Sequence, residues 1–149
     1  MKGEILARIE KLIEINAPPE KIWPMIQWDR LPEWYDPVKK VEWTSKEKYT
    51  VGTTVRIIDK FKGFKGDWNA EMTEYIENKK VSWRATKGFT GFGTRTLSPA
   101  KEGTKMTDMM DYEMPYSVLG KLLGKLGMYK AFDKSFDVGL KKLKDMVEK

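Results

Sequence analysis

The chain has 149 residues, 40% hydrophobic and 34% charged, which fits one globular domain with room for a core. It contains no cysteine and no histidine, which removes disulfides, Cys/His zinc sites, Ser-His-Asp triads, cysteine nucleophiles and haem held by either residue. The net charge of +6 comes from scattered lysines, most of them alternating with Glu or Asp, so a solvated surface is expected and no specific nucleic-acid partner.

In chain order, the first strand is predicted over residues 4–15. Ile5, Ile9, Ile13 and Ile15 share one parity, which Lys11 interrupts. At Asn16-Ala17-Pro18-Pro19-Glu20-Lys21-Ile22-Trp23 the alternation stops and a short helix is predicted. Proline is tolerated in a helix's first turn, and Glu20 suits the positive end of the helix dipole. Pro24 should shorten or kink this helix, because it removes a backbone donor. A second short helical piece is expected to close at Leu31-Pro32-Glu33-Trp34-Tyr35-Asp36-Pro37. Trp28, Trp34 and Tyr35 read either as a lid or as ordinary packing under these helices.

Six further strands are predicted, at about Val38–Lys46, Thr53–Phe61, Asp67–Ile76, Lys80–Lys87, Gly93–Ser98 and Thr104–Met114. Their separators carry turn chemistry: Val51-Gly52, Lys62 through Gly66, Glu77-Asn78-Lys79, Gly88 through Gly93, and Ser98 through Gly103. Short connections favour antiparallel neighbours. The Gly88–Gly93 stretch lacks a following Lys-Ser/Thr and opens no helix, so it is expected to be a hairpin loop and not a phosphate cradle.

From about Tyr116 to Glu148 apolar residues recur at three and four, with lysines opposite, which predicts a long amphipathic helix. Gly120, Gly124 and Gly127 weaken its first third. A single α+β domain over residues 1–149 follows, in which a curved antiparallel sheet of six to seven strands grips the long C-terminal helix. Two short helices follow its first strand.

Two acids interrupt apolar parities. Asp108 shares a face with Thr104, Met106, Met110, Tyr112 and Met114, and Asp59 with Thr53, Val55, Ile57 and Phe61. One reading has both looking into a cavity, as polar anchors or as acid–base catalysts with raised pKa values. The other has them exposed, or paired with Arg56, Arg84, Arg95 or a lysine. Trp68, Met72, Trp83, Met106, Met110, Tyr112, Tyr129, Phe132 and Phe136, with Ile57, would line such a cavity or else fill a core.

The segments Ile15–Trp23, Val51-Gly52-Thr53-Thr54-Val55-Arg56, Val81-Ser82-Trp83-Arg84, Gly103-Thr104-Lys105-Met106-Thr107, Asp111-Tyr112-Glu113-Met114-Pro115 and Leu140–Lys144 occur in an order and spacing that resembles the START-like helix-grip superfamily. That superfamily is also called SRPBCC, polyketide cyclase/dehydrase-like or Bet v 1-like. Pro24 and Asp108 depart from its pattern, where apolar residues are usual. The resemblance implies a cavity between sheet and helix that holds a hydrophobic or amphipathic ligand, lipid-like or polycyclic. It implies a carrier or sequestering protein without a cofactor, or alternatively a cofactor-independent cyclase or dehydratase; it carries over no catalytic residues, and the parity reading offers Asp108 or Asp59 with Tyr112 for that role. No metal site is expected, nor a transmembrane segment. Transient contact with a membrane surface is compatible with the charge, and a cytoplasmic location is expected.

Overall fold

The computed structural model describes residues 6–113 and 124–149. Strand β1 (Leu6–Ile15) runs into four short helical pieces: α1 (Pro19–Ile22), two 3-10 turns (Trp23–Ile26 and Trp28–Arg30) and α2 (Leu31–Trp34). Proline explains the fragmentation. Pro19 and Pro32 sit in first turns, where no donor is needed, and Pro24 turns the chain from α into 3-10 geometry. The pieces hold because their large side chains are buried and tied down. Trp23 Nε1 donates to the Tyr75 hydroxyl, and Trp34 Nε1 donates to the Met25 carbonyl.

Strands β2 (Val38–Trp43), β3 (Thr54–Phe61), β4 (Phe64–Ile76), β5 (Lys80–Lys87), β6 (Gly91–Pro99) and β7 (Thr104–Glu113) form an antiparallel meander. The last strand pairs with the first, giving the seven-stranded order β1-β7-β6-β5-β4-β3-β2. Two of the expected turns are tighter than their composition indicates. Lys62 and Gly63 both adopt positive φ, 52° and 85°, in a two-residue hairpin that matches strand twist, so β4 begins at Phe64. Likewise Gly91–Gly93 belong to β6, and the β5–β6 turn shrinks to residues 88–90.

Register shifts in β4 between Asn69 and Ala70 and between Met72 and Glu74, and one in β2 between Val38 and Lys40, bend the sheet. The long helix, α3 (Gly124–Glu148), crosses the inner side of that curve. Its Leu140, Leu143 and Val147 join Ile15, Val55, Met72, Leu97 and Met106 in one core cluster. Its Phe136 joins Ile9 and Tyr112 in a second. The expected helix start at Tyr116, with Leu119, Gly120, Leu122 and Leu123, lies outside the described residues. The Lys11 interruption of β1 has a structural partner. Lys11 faces α3, and its Nζ reaches Asp133 and Asp137 at 3.0 and 3.1 Å.

Candidate functional site

A cavity of about 320 Å³ lies between the sheet and α3, between the two core clusters. β3, β4 and β5 supply Ile57, Asp59, Trp68 and Trp83 to its wall, and β6 and β7 supply Arg95, Asp108 and Met110. α3 closes it with Phe132 and Phe136. Trp28, Leu31, Tyr35, Pro37 and Val38 come from the Pro-punctuated segment and its junction with β2. Phe61, Lys65 and Phe89 stand at the hairpin end.

Aromatic rings brace one another around this space. Trp68 lies 5.5 Å from Trp83 and 5.0 Å from Phe89, centroid to centroid. Phe61 stacks on Phe132 at 4.6 Å, and Tyr35 meets Phe136 edge-on at 5.5 Å. Such offset and edge contacts fix ring positions beyond simple burial. Two glycines shape the wall by lacking a side chain. A Cβ at Gly93 would stand 2.7 Å from Trp83 Nε1, so the indole lies flat on that strand. A Cβ at Gly66 would overlap the Asp59 carboxylate, which occupies the space instead.

The two acids differ in how they are held. Asp108 is buried beside the equally buried Arg95, its direct neighbour across β6 and β7, with Nε–Oδ2 at 3.3 Å. Arg95 Nε has no hydrogen-bond partner among the described residues, so the contact is a charge pair without good bond geometry. The guanidinium also lies 5.5 Å from the Trp34 ring. Burial pushes the Asp108 carboxyl above the ordinary carboxylate range, and Arg95 only partly opposes this. Asp59 is half-buried. Its Oδ2 accepts the Trp68 Nε1–H at 2.9 Å, and the Gly66 backbone N–H also donates to the carboxylate. Burial again raises its pKa, opposed by the N–H donors of Trp68, Gly66 and the Asp59 backbone itself. No ion pair to Asp59 is formed among the described residues.

Of the residues singled out from sequence, Ile57, Asp59, Trp68, Trp83, Asp108, Met110, Phe132 and Phe136 meet at the cavity. Met72 and Met106 share the right face but are fully buried in the core, away from the wall. Tyr129 donates its hydroxyl to the Arg8 carbonyl at 3.2 Å and does not line the cavity. Tyr112 is also off the wall, buried against Phe89 and Phe132. It stands four residues from Asp108, a Cα separation of about 13 Å at strand rise. The two therefore do not converge as an acid–base pair. The Tyr112 hydroxyl has no partner among the described residues, and burial pushes its pKa up.

The tyrosine that does reach the cavity is Tyr35, whose hydroxyl is 3.3 Å from Ser135 Oγ. Ser135 Oγ itself donates to the Phe132 carbonyl, so Tyr35 is the donor to Ser135. Burial raises the Tyr35 pKa, and the charges of Asp108, Arg95 and Asp59 are all felt there. Arg95 was visible in sequence only as a possible ion partner. Its shared parity with Gly93 and Leu97, the first beneath Trp83 and the second in the core, is the signal that puts it inside. Among the described residues no group of three or more Asp or Glu side chains is placed to share a metal ion. No described helix is long and apolar enough to cross a membrane.

A family model described as polyketide cyclase / dehydrase and lipid transport matches residues 7–148. Among solved structures, TTHA0849 from Thermus thermophilus is similar at TM-score 0.78 and 24% identity, covering 95% of this chain and 97% of that one. The Zhui aromatase/cyclase from Streptomyces sp. R1128 is similar at TM-score 0.77 and 13% identity, covering 97% and 94%. Ara h 8.0201 is similar at TM-score 0.66 and 15% identity, covering 96% and 98%. At these identities the likeness is one of fold. A comparison with curated proteins gives no significant match.

Proposed function

The chain belongs to the polyketide cyclase / dehydrase and lipid transport family, and from that premise we propose that it binds a hydrophobic or amphipathic small molecule, lipid-like or polycyclic, between the sheet and α3. We place it as a carrier or sequestering protein. The observation that carries this reading is the preformed cavity, about 320 Å³ and walled mainly by aromatic and aliphatic side chains with a few polar groups. That volume falls within the ~300–1,000 Å³ typical of small-molecule sites. Braced rings keep such a cavity open without ligand, because collapse would break several ring contacts at once.

The alternative is a cofactor-independent cyclase or dehydratase, and one observation favours it. Asp59 has a carboxyl raised by burial and stands on the wall together with Tyr35, so an acid–base group and a hydroxyl face the same bound molecule. The carrier reading is preferred because Asp108 is occupied by Arg95 and Tyr112 is off the wall.

Trp28, Trp68 and Trp83 line the cavity, so occupancy should alter intrinsic fluorescence. Titration with the neutral probe N-phenyl-1-naphthylamine and with fatty-acyl probes should show saturable, one-to-one binding to the folded protein. Absence of saturable binding across a wide lipid and polycyclic panel would overturn the cavity reading.

A further inference from the structure

Asp59 is the unusual group in this cavity. A half-buried carboxylate without a cation is costly, and proteins normally pair it or expose it. Asp108, on the same wall, follows that rule by facing Arg95. Asp59 makes no ion pair among the described residues, although Lys65 stands at the rim with an exposed side chain. The carboxylate is nonetheless positioned firmly. Trp68 Nε1 and the Gly66 N–H hold it, and it fills the space where any other residue at 66 would put a Cβ.

Those donors, together with the backbone N–H of Asp59 itself, use most of its accepting capacity. An ionised carboxylate offers about four lone-pair positions, so about one remains for a partner, on a residue that lines the cavity. What surrounds the carboxylate is aromatic. Phe61 flanks Asp59 on β3, and Trp68 lies across the strand pair. Trp83, Phe89 and Phe132 continue the surface through direct ring contacts. Aromatic faces attract cations and offer nothing to an anion. With Asp108 facing Arg95 and the exposed Lys65 out at the rim, the charge left facing the aromatic interior is that of Asp59.

We infer that the preferred ligand carries a protonated amine on an apolar or aromatic body, with the ammonium group seated on Asp59 between Trp68 and Phe61. The inference rests on the binding reading above and narrows it to a ligand class. The raised pKa of Asp59 agrees with a site whose counter-charge is missing until the ligand arrives.

Three naphthalene probes of nearly equal size test this: 1-naphthylmethylammonium, 1-naphthalenemethanol and 1-naphthoate. Binding to the full chain is measured by calorimetry and Trp fluorescence at low salt. The ammonium probe should bind about tenfold to a hundredfold more tightly than the alcohol, and the carboxylate most weakly. Asp59→Asn keeps an acceptor for Trp68. It should remove the preference for the ammonium probe over the alcohol, read as the ratio of the two affinities. An alcohol that binds as tightly as the ammonium probe overturns the inference and leaves the cavity reading standing. So does a preference that survives Asp59→Asn. If none of the three binds, the inference falls, and the wider lipid and polycyclic panel decides the cavity reading. Should Asp59→Asn fail to fold, the series on the natural sequence alone decides the matter.

Discussion

Arg95→Met offers a quantitative test of how the cavity wall is held together. Arg95 is the cation that faces Asp108, and both side chains are nearly inaccessible, at 10% and 6% exposure. Lys11 lies opposite Asp108 on the β1 side, but its ammonium is engaged by Asp133 and Asp137. Methionine, which reaches about as far as the arginine Nε, would keep the packing of the aliphatic stem and remove the charge. Two losses follow, and they differ in pH dependence. The guanidinium contact with Trp34 contributes about 0.5–2 kcal/mol regardless of pH. Stranding a buried carboxylate adds to this, and breaking such a pair typically costs about 3–5 kcal/mol in total when the survivor is charged.

The pH effect has a definite sign. In the parent protein, burial already holds the Asp108 pKa above its unfolded value of about 3.9. The native state then binds more protons than the unfolded chain between those two values, so stability falls as pH rises through that window. Without Arg95 the folded pKa climbs further, and the window extends upward. The penalty for Arg95→Met should therefore be small near pH 4.5 and large near pH 8. Urea unfolding of parent and variant at those two pH values measures it. Against a typical total of about 5–15 kcal/mol, the variant at high pH would be close to unfolding. The double replacement Arg95→Met/Asp108→Leu should recover most of the loss, since a well-packed apolar pair commonly matches a buried ion pair. A penalty equal at both pH values, or a double variant no more stable than the single one, would refute this account.

Other expectations follow from the same geometry. Gly93→Ala should cost about 1–3 kcal/mol in chemical unfolding and weaken probe binding, because the new methyl drives the Trp83 indole into the cavity; adding Trp83→Phe should return part of the stability, and no recovery would mean the clash lies elsewhere. Lys11→Met should cost about 1 kcal/mol, discounted for the exposure of Asp133 and Asp137, with the penalty shrinking in high salt. In the parent protein burial pulls the Lys11 pKa down but the two aspartates more than offset it, so this contribution is complete below the unfolded value of about 10.4 and fades as pH rises through the folded one; a salt-independent penalty would count against it.

Most of the architecture was legible because it rests on short-range patterns. Period-2 alternation gave the strands, prolines gave the broken helical segment, and a period near 3.6 gave α3. Turn composition marked the hairpins but not their lengths. Lys62 adopts positive φ although it is not glycine, so a five-residue separator became a two-residue turn. The site was legible in one dimension only. Parity says which face of the sheet a side chain occupies, and it set Asp59 and Asp108 on otherwise apolar faces while leaving open whether they enter a cavity or are exposed or paired. It does not say how far along the strand the cavity extends. Met106, Asp108, Met110 and Tyr112 share one face of β7, yet only the middle two line the cavity. Met106 lies in the larger core cluster with Trp23 and Ile26, and Tyr112 lies beneath Phe132 at the other end. Those boundaries depend on where distant segments land.

Register decided the rest. In sequence, Asp59 and Asp108 look alike: each is an acid on an apolar parity with several arginines available as partners. The pairing of β6 with β7 puts Arg95 directly opposite Asp108. The pairing of β3 with β4 puts Gly66 opposite Asp59, so Asp59 receives N–H donors from Trp68, Gly66 and its own backbone, and no cation among the described residues. Two similar sequence signals thus become groups with different chemistry. Asp108 is bound up in the wall, where its partner is part of the fold. Asp59 is fixed in place with accepting capacity left over, and in a cavity of aromatic faces that capacity can be satisfied only from within the cavity. The chemical selectivity of the site is therefore set less by which residues line it than by which of them the sheet has already paired.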